Sequence, residues 1–558
     1  MAIEILKKKL KVSPFFMKAF ATLKPGNKKY LIIPAMPTPN GRLHLGHMSG
    51  PYLKMDILAR AQKRNGNLAS VISGSDSYES YISLKSWLTG MTPEEVCSHF
   101  SALSLRDLHA LGIPYDDFVN PVSPVSKQGF IDFAYEKMSD LERKGATEVR
   151  PEQYLWSPSS DRYIVGCWLQ GNCPVCGSKT ASYQCENCGN QYRPMDILNP
   201  SSRANERDLL PIDDYTLYLR VRKKDQLWEH IDSMGIDEHF KEIVKTYFRS
   251  QGDYIRLTNP DTWGIPWKVK GGKISSVIYS ATFMNVYAVY LGEKYKKLTG
   301  DLLNPFHPNS GVITVCSFGI DCCIPYIAGL AWALESQSFK PMDYLLPNYF
   351  CNLEEAKFST SRDHVIWTEE IVNKTPAGRD AVRYYLAMIN PEHGTTSFRV
   401  HEFIETINSV LADQLQRLLT KTWSSIDCQP IIPSDSLVTK LELLLLTQLY
   451  YLTPPGFELA KSLEPLNTWV DEVESFTGTD LYWWMKGFAL LAYPLMPDCA
   501  ESVWALLGHQ NKPSESDFFI VTRPEVEQEL PVFFKRVNFE EISRVLPESL
   551  SHIGQYAK

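Results

Sequence analysis

The sequence predicts an α/β chain: a parallel-sheet domain split by an insertion that carries a cysteine knuckle, followed by an α-helical bundle. Three observations carry the prediction. Two short apolar runs flank a helical stretch near the start, the texture changes between residues 116 and 245, and apolar residues recur at helical spacing from residue 401 onward. At 558 residues the chain is several times the length of a common domain, so division into several units is expected.

Residues 1–28 are basic without a periodic pattern and read as an appended arm. The first half of the sheet domain is expected at 29–115. Tyr30-Leu31-Ile32-Ile33 is an apolar run closed by Pro34, as a buried strand requires. A Pro/Gly-rich turn, a helical stretch at 45–64 and a second run at 68–73, stopped by Gly74, complete a βαβ unit. Such a unit implies parallel strands with helices on the sheet faces. Between 116 and 245, Trp, Tyr, Pro and Cys are frequent and helical periodicity is weak, which reads as an insertion. The sheet domain resumes over 246–400, with strand candidates at 311–316 and, more weakly, at Tyr349-Phe350-Cys351. In 401–558, Ile404, Ile407, Leu411, Leu415, Leu418 and Leu419 mark an amphipathic helix, and 481–507 is rich in aromatics, as suits a bundle.

Composition narrows the function classes. Hydrophobic residues make up 44% and charged residues 22%, which excludes a disordered, collagen-like or disulfide-stapled chain. The 57 Lys+Arg against 64 Asp+Glu leave −7 and a pI near 6.0, so no global basic field holds nucleic acid. The longest runs without charge are too polar to span a membrane, and the N-terminus lacks the apolar core of a signal peptide. A cytoplasmic location is expected.

Two motifs carry chemistry. Pro37-Thr38-Pro39-Asn40-Gly41-Arg42-Leu43-His44-Leu45-Gly46-His47 follows the first strand directly. A tight turn opening a helix there would present free N–H groups and the positive dipole end to phosphate. His44 and His47 are three apart and share a face, while Gly46 leaves room for a base or ribose. Two imidazoles so placed suit the charge that develops at an α-phosphate in nucleotidyl transfer. The second motif is Cys173-x-x-Cys176 with Cys185-x-x-Cys188, two tight thiolate pairs that close a tetrahedral structural Zn²⁺ site with no open position.

The His44-Leu45-Gly46-His47 segment is similar to the HIGH signature of class I aminoacyl-tRNA synthetases, and Lys357-Phe358-Ser359-Thr360-Ser361 resembles their KMSKS loop. With the knuckle between them, and with 111–116, 197–200, Trp263-Gly264-Ile265-Pro266 and 495–504, the chain resembles the methionyl-tRNA synthetase branch. The resemblance implies a Rossmann-type catalytic domain, ATP as substrate with Mg²⁺, an amino acid, a tRNA acceptor and an anticodon-binding bundle, as a monomer or homodimer. It places Asn40, Gly41, Gly46, Gly319 and Asp321 at ATP, Asp76 at the substrate ammonium, and His44, His47, Lys357 and Ser359 at the reacting phosphates.

The chain also departs from the family. Ile320 and Thr360 stand where the family has lysines, so two cations that offset triphosphate are missing. The side-chain pocket aligns to Met36, Thr38, Ile278, Thr282, Asn285, Cys322 and Tyr326, where hydroxyls and an amide replace apolar groups. Buried polar groups need partners, so that pocket predicts a hydrogen-bonding substrate other than methionine. Asp413, Arg417 and Phe476 stand at the anticodon-reader positions. Residues 401–558 sum to −11 and the rest to +4, which disfavours a polyanion on the bundle. Transfer to tRNA and transfer to a small amine, thiol or peptide are therefore both expected possibilities.

Overall fold

The computed structural model describes residues 26–550 apart from 274, 427–431 and 526; most of the basic arm expected at 1–28 lies outside them. Five parallel strands form the central sheet. They are β1 (Lys29–Pro34), followed across helix α1 (Leu53–Arg64) by β2 (Leu68–Gly74), then β3 (Asp117–Val119). After helices α2 (Lys127–Arg143) and α3 (Ser280–Thr299) come β4 (Val312–Gly319) and β5 (Tyr344–Asn348). The order is β5-β4-β1-β2-β3, every neighbouring pair parallel, which makes the sheet doubly wound with its switch point between β1 and β4.

Side-chain alternation along β1 explains why helices cover both faces. Tyr30 and Ile32 pack with Met55, Leu58 and Ala59 of α1, whereas Leu31 and Ile33 share a core with Phe130 and Ala134 of α2 and with Val286 and Tyr287 of α3. All four β1 residues are nearly inaccessible, so the continuous apolar run is what a strand buried on both sides needs.

Four local expectations are corrected. The stretch at 45–64 is not one helix: a turn over Leu45–His47 gives way to a widened turn at Met48–Tyr52, where Pro51 lacks the N–H that a regular helix would use. Gly50 sits there because a Cβ would lie 2.8 Å from Asn348 Nδ2 at the end of β5. Residues read as insertion also supply the central sheet layer, since β3 pairs with β2 and α2 packs on the sheet. The strand expected at 349–351 is displaced to Cys351–Leu353, and β5, with its internal Pro347, was missed; Pro is tolerated because β5 is an edge.

Between α2 and α3 the insertion proper is antiparallel. Strands Thr147–Ser157 and Leu210–Arg220 form its long hairpin-like pair, and a three-stranded sheet of Leu169–Asn172, Lys179–Ala181 and Leu198–Ser202 carries the cysteines. Beyond 400 the chain is helical, with Val400–Trp423 unbroken and further helices at Asp435–Tyr451, Leu463–Asp471, Asp480–Ala492 and Pro497–Leu506. Ile407, Leu411, Leu415 and Leu419 are buried at the predicted spacing, and Trp469, Trp484 and Trp504 fill the bundle core. Among the described residues no helix is long and apolar enough to cross a membrane.

Candidate active site

Ligands of doubly wound sheets sit beyond the strand carboxyl ends at the switch point. The structure brings His44 and His47 there after β1, Asp76 after β2 and Asp321 after β4. The turn between β1 and the histidines is fixed from inside and outside. Asn40 N–H donates to the Thr38 carbonyl at 2.8 Å, and nothing stands within 4 Å of where a Cβ on Gly41 would point. Arg42 grips the buried Asp107 with two nitrogens, at 2.8 and 3.2 Å, and Leu43 N–H donates to the same carboxylate. The turn therefore cannot slide along the sheet edge.

His44 is extended (φ −106°, ψ 172°) and its N–H donates to His47 Nδ1 at 3.2 Å, with the two rings stacked at 3.7 Å. A neutral His47 whose Nδ1 accepts must carry its proton on Nε2, which is then the donor. Burial, aided by Lys357, lowers His47 to about 4, and burial with His47 beside it drives His44 well below its usual value. Both imidazoles are thus neutral donors at physiological pH. His44 Nδ1 is buried without a protein partner among the described residues.

The two carboxylates follow their strands closely. Asp76 N–H donates to the Pro37 carbonyl at 3.0 Å, tying the β2 exit to the β1 exit. Burial and then Glu79 push its carboxyl well above the usual range, with a hydrogen bond from Ser280 opposing them. Asp321 is pushed up to about 6 by burial and Glu186, against the pull of Lys357. Gly319 lets that carboxylate fold back over the chain, since a Cβ there would lie 2.7 Å from Asp321 Oδ1.

Two expectations change. Gly46 was read as an open floor for a base or ribose. Instead the Phe358 ring covers it, 2.6 Å from a would-be Cβ, and stacks parallel to His44 at 4.8 Å. Phe358 is apolar and joins the core of Leu43, Leu45, Val365 and Ile366, which holds the loop down. Leu45 N–H also donates to the Ile366 carbonyl at 3.1 Å, and Ser359 and His364 exchange main-chain bonds at 3.0 Å across the loop. The polar groups of the pocket do not face a substrate as expected. Thr282 donates its hydroxyl to the Arg256 carbonyl, and the Asn285 amide donates to the carbonyls of Pro325 and Tyr326 at 3.0 and 3.1 Å. The Tyr326 hydroxyl points at Met36 Sδ, 3.7 Å away, while its ring stacks on Phe318. Met36, Ile278, Thr282, Asn285 and Tyr326 are buried, and Thr38 and Cys322 are half-buried.

Lys357 is not aimed into open solvent: its Nζ pairs with Glu186 of the knuckle at 2.8 Å. Glu186 was missed in the sequence, where it is only a spacer in Cys185-x-x-Cys188.

The four knuckle sulfurs lie within 4.8 Å of one another, with Cys173–Cys188 at 3.8 Å and Cys176–Cys185 at 3.7 Å. A Zn–S length of about 2.3 Å gives a tetrahedron with edges of about 3.8 Å, so the thiols fit a structural Zn²⁺. Each pair ends in a glycine at positive φ, Gly177 and Gly189, whose N–H returns to the first cysteine carbonyl at 2.9 Å. Bound there, the metal would supply cross-linking and no chemistry.

Paired histidines after β1 at a doubly wound switch point, with a lysine–serine loop packed on them, are the features of a class I tRNA synthetase catalytic domain. The family model described as "tRNA synthetases class I (M)" matches residues 30–423, and the chain belongs to that family. It is 26% identical over 568 residues to a protein named methionine–tRNA ligase from Protochlamydia amoebophila, covering 93% of this chain and 79% of that one. A methionine–tRNA ligase from Thermoplasma acidophilum is 27% identical over 515 residues, covering 86% and 92%. Mycobacterium tuberculosis methionyl-tRNA synthetase bound by methionyl-adenylate shares the fold, with a TM-score of 0.68 at 16% identity over 90% of this chain and 99% of that one.

Proposed function

We propose that the chain binds ATP with Mg²⁺ at the β1–β4 switch point, joins an amino-acid carboxylate to the α-phosphorus with loss of pyrophosphate, and passes the aminoacyl group to an acceptor, by family default the tRNA 3′ end. The observation that supports this best is the pair of neutral, stacked imidazoles at a switch point that also carries two half-buried carboxylates, Asp76 and Asp321. His44 and His47 donate to the α-phosphate, and Lys357 and Ser359 take the β- and γ-phosphates. Asp321 accepts from the ribose, Asp76 holds the substrate ammonium, and Asn40, Gly41 and Gly319 let the nucleotide approach the main chain, while Gly46 lies under the Phe358 ring. Positioning and electrostatics supply the rate, since the reaction asks for no covalent help from the protein.

Because Thr282 and Asn285 already bond to main-chain carbonyls, they ask for no hydrogen bond from a substrate, which supports an aliphatic or thioether side chain such as methionine. ATP–pyrophosphate exchange across a panel of amino acids tests the activation step. Exchange that depends on one amino acid is expected, and none with any of them would sink the reading.

One feature favours a second acceptor reading. Asp413, Asp471 and Glu474 line a single cleft in the bundle with Arg417, and Arg536 pairs with Asp413, so the expected reader position carries three carboxylates against two arginines. Release of AMP with a small amine or thiol, and no charging of added tRNA, would establish that alternative.

A further inference from the structure

The nucleotide corner is held from a side that activation itself does not require, the cysteine knuckle. Gln184 donates its amide to the main-chain carbonyl of Asp321, and any Cβ on Gly189, at φ +72°, would collide with the Ile320 carbonyl. Glycine is what lets the knuckle lie this close to the segment after β4. From that seat Glu186 reaches the phosphate loop and pairs with Lys357 at 2.8 Å, while the same ammonium lies 4.5 Å from the centre of the Phe350 ring. The next residue, Phe358, covers Gly46 and stacks on His44. One loop thus commits its lysine to the knuckle and its aromatic ring to the nucleotide floor.

We propose that Glu186 is a positioning residue whose carboxylate holds the Lys357 ammonium at the knuckle until a triphosphate displaces it. The inference rests on the adenylation reading above. Both side chains are about half exposed, 42% for Lys357 and 59% for Glu186, so the pair is weak enough to exchange. A triphosphate offers several charges where Glu186 offers one, and Lys357 is the sole cation of Lys357-Phe358-Ser359-Thr360-Ser361. Removing the Glu186 charge therefore frees that cation and removes an anion from beside the phosphates.

The test is calorimetric titration of the full chain at pH 8 with a non-hydrolysable ATP analogue and, separately, with AMP. Glu186→Gln is expected to tighten the analogue about three- to fivefold, the scale of one exposed ion pair, and to leave AMP within error. Glu186→Asp should return the analogue towards the wild-type value. In a Lys357→Met background, Glu186→Gln should give a smaller gain than in the wild type, because only the repulsive part is left. Unchanged or weaker analogue binding in Glu186→Gln, or equal tightening of AMP, overturns the proposal while leaving activation intact. A folded wild-type chain that binds no analogue overturns both.

Discussion

His47 shows how a single side chain is prepared for its task. Its Nδ1 is occupied by the His44 N–H and burial keeps it neutral, so one Nε2–H donor remains with a fixed direction. His47→Ala is expected to slow ATP–pyrophosphate exchange about 10²-fold or more, the scale of losing one preorganised donor; an unchanged rate would remove the histidine from the reaction. Asp321 makes a prediction with a sign in pH. Burial and Glu186 push its carboxyl up to about 6, so the ionised form, which the proposed function sets against the ribose, is present above that pH and lost below it. Binding of the ATP analogue should weaken as pH falls from 7 to 5, and Asp321→Asn should flatten that part of the profile. Thr360 is exposed at the lip of the loop, so a lysine there meets no packing obstacle. Thr360→Lys should raise exchange if the missing charge limits the rate, and no gain would dismiss that account.

At the scale of elements, the knuckle is two short turns with only a small apolar cluster beneath them, so a bound metal would add the cross-link that braces them. One Zn²⁺ per chain is expected by atomic absorption. Cys185→Ser should lose it and lower the thermal midpoint, because the sheet that carries the knuckle packs Cys173, Cys185, Tyr183 and Leu169 into one small cluster. A metal-free preparation with an unchanged midpoint would refute the bracing role. The CxxC pairs were legible in the sequence because ligand spacing is local. The helical turn after β1 was legible only in part: Gly50 and Pro51 interrupt it, and the reason for Gly50 is Asn348, which approaches from a distant strand.

For the whole molecule, the catalytic layer and the bundle are joined by buried charge. Arg383 is fully buried, pairs with Asp56 of α1 at 2.7 Å, and donates to the carbonyls of Pro494 and Leu495 at 2.9 and 3.0 Å. Arg64 likewise reaches Glu515, Gln448 and the Leu490 carbonyl. Removing Arg383 leaves Asp56 to Arg60 alone and takes the donor from the buried carbonyls of Leu111, Pro494 and Leu495, so Arg383→Ala should cost about 3–5 kcal/mol in denaturant unfolding. A loss below about 1 kcal/mol would show that the two layers do not depend on this contact.

The sequence by itself determined the strand–helix–strand opening, the helical spacing of the bundle, the paired histidines and the four thiols. All of these are patterns set by steps of two to four residues along the chain. The tertiary structure decided what those patterns face. Lys357 meets Glu186 across 171 residues, Phe358 covers Gly46, and Thr282 and Asn285 spend their polar groups on carbonyls that no spacing rule assigns to them. Composition could name those side chains as polar or charged, but the partner that satisfies each one is chosen by packing, and packing is settled only when the whole chain is folded.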